Sequence, residues 1–355
     1  MDNLTRYDRL SNYVVSPGAI LEDNLTSLGL SIDDFSKKTE LSIADINQIL
    51  EGKKEITLDV AKKFEETLSY STQFWLRLEE LYKYQLSKQD ARKWINNFPI
   101  KCMMKLGWFK RDKDNLNLVE NVLNFFGVKS QKEWESLWKT SYPVIFRESN
   151  RVKKNSYALS AWLRKGELSS LSFKCAPYDS EKFEAALQNI RKLTFESPKI
   201  FIPKLKSICA DAGVAVVFIP ELPNIATYGS TRRLENKILI QLSLRYKSND
   251  HLWFSFFHEA GHVLLHKKDD ICLSGYDVFD IEKEDEANNF ARNILIPQNL
   301  FSQFLANFKH TLKEIKDFAQ KINIAPGIVV GRLQHDKILS KDVGNSLKQY
   351  FTLKK

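Results

Sequence analysis

Residues 251–266, HLWFSFFHEAGHVLLH, constrain the fold more tightly than any other stretch of the chain. The run is apolar enough to be buried as a helix, yet His258, Glu259 and His262 sit near its middle. Burying two imidazoles and a carboxylate is expensive unless other groups satisfy them. The fold must therefore bring something polar, or a cation, against this helix. Histidines four residues apart project from one face, about one turn from each other, which suits two ligands of one metal ion. Glu259 follows the first histidine directly, so it lies beside such an ion. That is the place for a base acting on water, whose pKa zinc lowers to about 7 when it is coordinated. The pattern points to metal-assisted hydrolysis of a peptide bond, in which Glu259 takes the proton from water and passes it to the leaving amine.

A catalytic zinc takes three protein ligands and keeps a fourth position open. The acidic stretch EKEDEANNFARNILIP follows at loop distance. Glu284 and Asn288 are four apart and share a helix face. Glu284 is expected to ligate, and Asn288 to orient a ligating histidine through a hydrogen bond. Glu282 and Glu286 are the rival ligands, Glu286 lying on a different face from Asn288. His266, a further four residues along, is expected at the surface or in a structural role. His251, His310 and His335 are expected to be structural too. Cys272 reads as packing, with an inhibitory fourth ligand as the sharper alternative. Two histidines and a glutamate suit Zn2+ and also accept Mn2+ or iron.

A chain of 355 residues is too long for one compact core, so two or three domains are expected. A net charge of +9 over that length permits a polyanionic partner without requiring one. The cysteines at 102, 175, 209 and 272 are far apart and form no CxxC pair. That argues against a thiolate metal site and a disulfide framework, and fits a reducing cytoplasm. The N-terminal MDNLTRYDRLSNYVV has no apolar signal core, and no apolar run approaches the roughly 20 residues that span a bilayer. The expected location is cytoplasmic, with no membrane partner.

The expected fold class is multidomain, mainly α with a small β-sheet (α+β). Residues 1–88 read as short helices with clear punctuation: Pro17 to Leu28 stopped by Gly29, then segments capped by Ser31, Ser42 and Thr57. The close succession of the second and third is the spacing of a helix-turn-helix. A fifth helix carries Phe74, Trp75, Leu78, Leu81 and Tyr82 as a core or dimer stripe. Residues 89–175 read as a helical connector rich in tryptophan, at 94, 108, 134, 138 and 162. Residues 176–355 combine helices with strands at VAVVF, YGSTRR and KILIQLS.

FHEAGHVLLH and EANNFARNILIP, with GVAVVFIPELP, YGSTRR, KILIQLSLRYK and IAPGIVVGRLQH, resemble the ImmA/IrrE family of metallopeptidases over about residues 155–340. The resemblance implies a gluzincin-like core ending in a helix-turn-helix-like element. It implies His258, His262 and Glu284 as zinc ligands, Glu259 as the base, and cleavage of a repressor after stress. Residues 14–85 resemble the antidote-type XRE domain of HigA proteins. That resemblance implies a recognition helix from Ser42 to Gly52 offering Ser42, Ala44, Asp45, Asn47 and Gln48 to the major groove, with Lys53 just beyond. It also implies binding of operator double-stranded DNA as a homodimer, and a toxin partner.

One departure stands out. Between residues 31 and 56, Asp33, Asp34, Glu40, Asp45, Glu51 and Glu55 outnumber Lys37, Lys38, Lys53 and Lys54, whereas phosphate contacts need positive charge. A fold kept for dimerisation or protein binding is the alternative. Basic clusters lie at 151–154, at Arg164-Lys165 and at Arg232-Arg233. The last follows Tyr228, Gly229, Ser230 and Thr231, expected to form an edge strand on which a substrate peptide adds. Those arginines would then select acidic substrate residues or sense single-stranded DNA. Two functions follow: a zinc endopeptidase fused to a DNA-binding regulator, cleaving a repressor or antitoxin in a stress or phage response, or a non-proteolytic HigA-like antitoxin and autorepressor of a toxin-antitoxin or defence operon. The intact Glu259 favours the first.

Overall fold

The computed structural model describes residues 15–109, 118–141, 155–225, 227–235, 237–243, 247–266, 271–273 and 281–351. The basic run at 151–154 lies outside them. The chain divides into two compact units, Met1–Asn96 and Asn97–Lys355.

The first unit is helical: α1 (Pro17–Leu28), α2 (Ile32–Thr39), α3 (Ile43–Leu50), α4 (Leu58–Thr67) and α5 (Thr72–Ile95). Serines at 16, 31, 42 and 71 accept hydrogen bonds from the first-turn amides of α1, α2, α3 and α5, meeting donors that a helix end leaves open. Thr57 makes no such bond at α4. Glu40 takes φ 53° between α2 and α3 and so makes the tight turn of the helix-turn-helix. Phe35, Ile46, Ile49, Phe64 and Trp75 form the buried centre. Gly18 lets α1 lie against the end of α3, since a Cβ there would sit 2.2 Å from the Ile49 carbonyl oxygen. The boundary expected after residue 88 falls inside α5. Of the expected stripe on α5, Trp75 is buried, while Phe74 and Leu81 face outward.

The second unit begins with α6 (Ile100–Lys105), α7 (Leu118–Phe126), α8 (Gln131–Ser141) and α9 (Ser156–Ser170). Its aromatics pack on one another: Trp134 stacks on Tyr157 at 5.1 Å, and Phe126 meets both Trp134 and Trp138 edge-on. Then follow α10 (Ser180–Lys192), α11 (Pro198–Asp211), β1 (Val214–Phe218), β2 (Gly229–Leu234), β3 (Lys237–Leu242), α12 (Asn249–Leu265), β4 (Ile271–Leu273), α13 (Ile281–Leu295), α14 (Gln298–Ala306), α15 (Leu312–Lys321) and α16 (Pro326–His335). Among the described residues, no helix is long and apolar enough to cross a membrane.

The sheet runs β1-β3-β2-β4, with β1 parallel to β3 and the other pairs antiparallel. Its inner strands are buried on both faces. Successive strand residues point to opposite faces, and β2 shows which helix covers each. Thr231 reaches Glu259 of α12, whereas Arg232 reaches the Leu163 carbonyl of α9 at 2.6 Å. Gln241 of β3 joins the α9 face through the Trp162 carbonyl at 2.7 Å. The connector helix α9 is thus one wall of the sheet.

This topology corrects two expectations. Ser230 and Thr231 do not lie on a sheet edge: β2 pairs along its length with β3, and Ser230–Arg232 pair with Ile271–Leu273 of β4, while Tyr228 precedes the strand and Gly229 pairs with β3 alone. A peptide cannot add where two strands already take the backbone groups. Arg232 is 1% exposed and turned into the α9 interface, so it does not select substrate residues or meet DNA. Arg233 is half-buried, with its guanidinium carbon 5.8 Å above the Tyr178 ring.

The chain end returns to the start of α12. The Asn249 amide donates to the Gln349 carbonyl at 2.8 Å, Lys348 pairs with the buried Asp250 at 2.7 Å, and Phe351 packs on Phe201. In the first unit, Gly18→Ala should destabilise the helical fold by about 1–3 kcal/mol through overpacking. Chemical denaturation followed on Trp75 fluorescence, with the other tryptophans replaced, should show a lower midpoint.

Candidate metal centre

The histidine-bearing helix α12 packs along α13. Gly261 sets the spacing, because a Cβ there would lie 3.2 Å from the Ala287 Cα and from the Phe290 ring. At this separation α13 brings Glu284 against both histidines. His258 Nε2 and His262 Nε2 are 3.0 Å apart, and the Glu284 oxygens lie 3.4 Å from the first and 3.2 Å from the second. The histidines are buried almost fully, and Glu284 is partly buried.

The donor set can be tested against zinc. Tetrahedral bonds of about 2.0–2.1 Å place neighbouring donor atoms about 3.3 Å apart. The three separations bracket that value, and the donors are two imidazole nitrogens and a carboxylate. His258 Nδ1 lies 3.0 Å from Asn288 Oδ1. With the amide oxygen accepting, the His258 proton is on Nδ1 and its Nε2 lone pair faces Glu284. These residues fit a divalent zinc. Of the rival acids, Glu286 is turned instead to His266 Nε2 at 2.9 Å, and Glu282 is exposed.

Burial works to raise the Glu284 carboxyl, but hydrogen bonds and charge from His258 and His262 outweigh it and hold the group at about 2. Burial likewise opposes the charged form of His258. There the Glu284 hydrogen bond, the charges of Glu259 and Glu284 and the Asn288 amide prevail, and its pKa is raised above 6.5. A cluster that favours positive charge at this point favours a cation there.

Glu259 is fully buried and its carboxylate lies over β2. Thr231 Oγ1 sits 2.8 Å from Glu259 Oε2. Gly229 leaves the room, since a Cβ there would come within 2.4 Å of Glu259 Oε1. Gly229 and Thr231 therefore adjoin the glutamate of the motif, although not as the edge expected of them. His266 is not at the surface: it is 7% exposed and its Nδ1 lies 2.8 Å from His262 Nδ1. Cys272 is buried in β4, a three-residue strand that the polar sequence around it conceals. Among the described residues, His262, His266 and Cys272 make a second trio able to hold a metal.

In the first unit, Ser42, Ala44, Asn47, Gln48 and Lys53 are exposed, on α3 and just after it. Asp45 is half-buried and paired with Lys54. Hydrogen bonds from Lys54 and then Ser42 hold its carboxyl below the usual range. Its charge is largely matched within the unit, as is that of Glu51, 2.6 Å from Lys53.

Comparison with known proteins places both units. The peptidase M78 family, described as the IrrE N-terminal-like domain, matches residues 209–334, which include α12 and α13. The HTH-type transcriptional regulator YddM of Escherichia coli (strain K12) is 29% identical over 66 residues, covering 19% of this chain and 70% of that protein. Virulence-associated protein I of Dichelobacter nodosus is 31% identical over 79 residues, covering 22% of this chain and 73% of its own. The structure of an addiction module antidote protein of the HigA family from Coxiella burnetii is 26% identical, covers 23% of this chain and 91% of its own, and gives a TM-score of 0.22. Residues 209–334 thus carry an IrrE N-terminal-like peptidase M78 domain, and the N-terminal part is an XRE-like helix-turn-helix domain similar to HTH-type regulators.

Proposed function

We propose that the chain is a regulatory zinc endopeptidase of the gluzincin type fused to a DNA-binding regulator, and that it cuts a repressor or antitoxin protein to change gene expression. The observation that carries this reading is the meeting of His258, His262 and Glu284 at donor spacings of 3.0–3.4 Å, with the Glu259 carboxylate on the same helix. When bound, Zn2+ supplies Lewis acidity, lowering the pKa of water and polarising a carbonyl oxygen. Glu259 takes the proton of the attacking water and later delivers it to the leaving amine. Thr231 holds one carboxylate oxygen of Glu259 and fixes its rotamer, while Gly229 leaves space for the other. Asn288 keeps the His258 ring in the tautomer whose Nε2 can ligate.

The first unit is the regulator in this reading. Ser42, Ala44, Asn47 and Gln48 are free to enter a major groove. Matching of Asp45 by Lys54 lessens the repulsion that the acidic composition would impose. Tyr70 stacks on Phe74 at 4.5 Å and, with Leu81, leaves an apolar surface that suits a homodimer. The relation to HTH-type regulators favours a second reading, in which the chain acts as a non-proteolytic antitoxin or autorepressor.

Glu259→Gln should retain zinc and lose cleavage of a co-expressed neighbouring repressor or antitoxin by on the order of 10²–10⁴-fold. Gly229→Ala should do the same more mildly by displacing the carboxylate, with about 10²-fold loss. Unchanged cleavage in Glu259→Gln, read by immunoblot of the target, sinks the enzyme reading in favour of the second.

Zinc needs neutral histidines, and the raised pKa of His258 means protons begin to compete above 6.5. Zinc affinity, measured by chelator competition, should therefore fall as the solution is acidified, starting above the pH at which an ordinary histidine protonates. The full-length chain should also retard its own promoter fragment in a gel, less so as salt rises. Asn47→Ala and Gln48→Ala should each weaken that binding by about 1–3 kcal/mol relative to non-specific DNA. Equal loss on all sequences would argue against base reading by α3.

A further inference from the structure

We infer that His266 is a positioning residue for the metal centre: Glu286, His266 and His262 form a hydrogen-bonded relay that fixes the His262 tautomer and leaves its Nε2 lone pair free to ligate. The inference rests on the zinc reading above.

The contacts run inward from the surface. Glu286 is exposed, and its Oε2 lies 2.9 Å from His266 Nε2. An ionised carboxylate only accepts hydrogen bonds, so His266 carries its proton on Nε2. Neutral His266 then presents Nδ1 as an acceptor, 2.8 Å from His262 Nδ1. His262 must donate there, which puts its own proton on Nδ1. Its Nε2 is left as a lone pair facing His258 and Glu284. Asn288 does for His258 what His266 does for His262.

The backbone is arranged for this contact. His266 caps the C-terminus of α12 with φ −108° and ψ 56°, outside helical values, while its amide still donates to the His262 carbonyl at 3.1 Å. Leaving the helix at that residue lets the ring fold back over the preceding turn. His266 is 7% exposed, and a buried imidazole used only to fill space would lack this alignment of both nitrogens.

The same side chains admit another use, a second cation held by His262, His266 and Cys272, whose ligand atoms lie within 4.8 Å of one another. The spacing argues against it. These nitrogens stand 2.8 Å apart, nearer than any of the 3.0–3.4 Å separations in the first trio and further from the separation of about 3.3 Å that two donors of a tetrahedral zinc take. His262 would also have to give up both its ring protons to bind ions on both sides.

The test is zinc titration by chelator competition on the full chain, with histidine 15N NMR of the metal-free protein. Wild type should bind one zinc, and His266→Phe should bind it about 10–100-fold more weakly. His266→Gln, whose amide can accept at one end and donate at the other, should recover most of the affinity. Glu286→Ala, a surface change that leaves folding intact, should lose part of it. The spectra should show His262 protonated at Nδ1 in wild type and a tautomer mixture in His266→Phe. Wild-type affinity in His266→Phe overturns the relay, as does a second zinc equivalent lost in Cys272→Ser. If wild type binds no zinc, the metal reading fails, and a His262 found protonated at Nε2 in the NMR spectra overturns the relay independently.

Discussion

The second unit depends on one close approach, that of α12 to α13. It places a glutamate within 3.2–3.4 Å of two histidines that α12 has already buried. Separated by even a methyl group, the helices would take the Glu284 carboxylate away from both imidazole Nε2 atoms and the Asn288 amide away from His258, leaving buried ring nitrogens unmatched. Gly261 and Ala287 at the crossing therefore matter as much as the polar residues they bring together. The surrounding elements fix α12 at both ends. The chain end holds its start through Asn249 and the buried Asp250–Lys348 pair, and His266 closes its finish.

The sheet adds a second constraint, and it acts through the alternation of β2. Thr231 faces α12 and orients Glu259, while its neighbour Arg232 faces α9 and grips the Leu163 carbonyl. A shift of β2 along its partners by one residue would turn Arg232 toward Glu259 and Thr231 toward α9. Gln241, lodged against Gly166, and Trp162, donating to the Ile219 carbonyl, pin that register from the α9 side. The tryptophan-rich segment ahead of the peptidase fold is therefore no spacer. It supplies the wall against which the strand beneath Glu259 is aligned.

What the sequence made legible follows from the range of the interactions involved. Helical periodicity and caps are local, so the helices of the first unit and the His258–His262 face could be read directly. Glu284 and Asn288 could be placed on one helix face from their spacing of four, although the same spacing joins their rivals Glu282 and Glu286. Pairing of strands is not local. YGSTRR reads as a strand with exposed polar residues, and only the arrival of β4, three residues long and hidden between polar stretches, makes it interior. Which of the two roles expected of His266 it takes was hidden for a related reason. Its distance along the helix from the two ligands suggests a separate role, and nothing local reveals that the backbone leaves the helix there and turns the ring inward.

The acidic balance of the helix-turn-helix shows the same limit in electrostatics. Summing charges along residues 31–56 treats every carboxylate as facing the DNA. In the fold, Asp45 is matched by Lys54, Glu51 by Lys53 and Glu55 by Lys83 on α5. Exposed pairs of this kind add little stability, but they change what an approaching polyanion meets. Each pair is close to neutral at a distance, so the residues that remain distinct on the surface of α3 are the uncharged Ser42, Asn47 and Gln48. Such pairing limits the phosphate contacts that α3 itself can offer. Any preference it has for a DNA site must come from hydrogen bonds to base edges, which discriminate between sequences more sharply than they raise overall affinity.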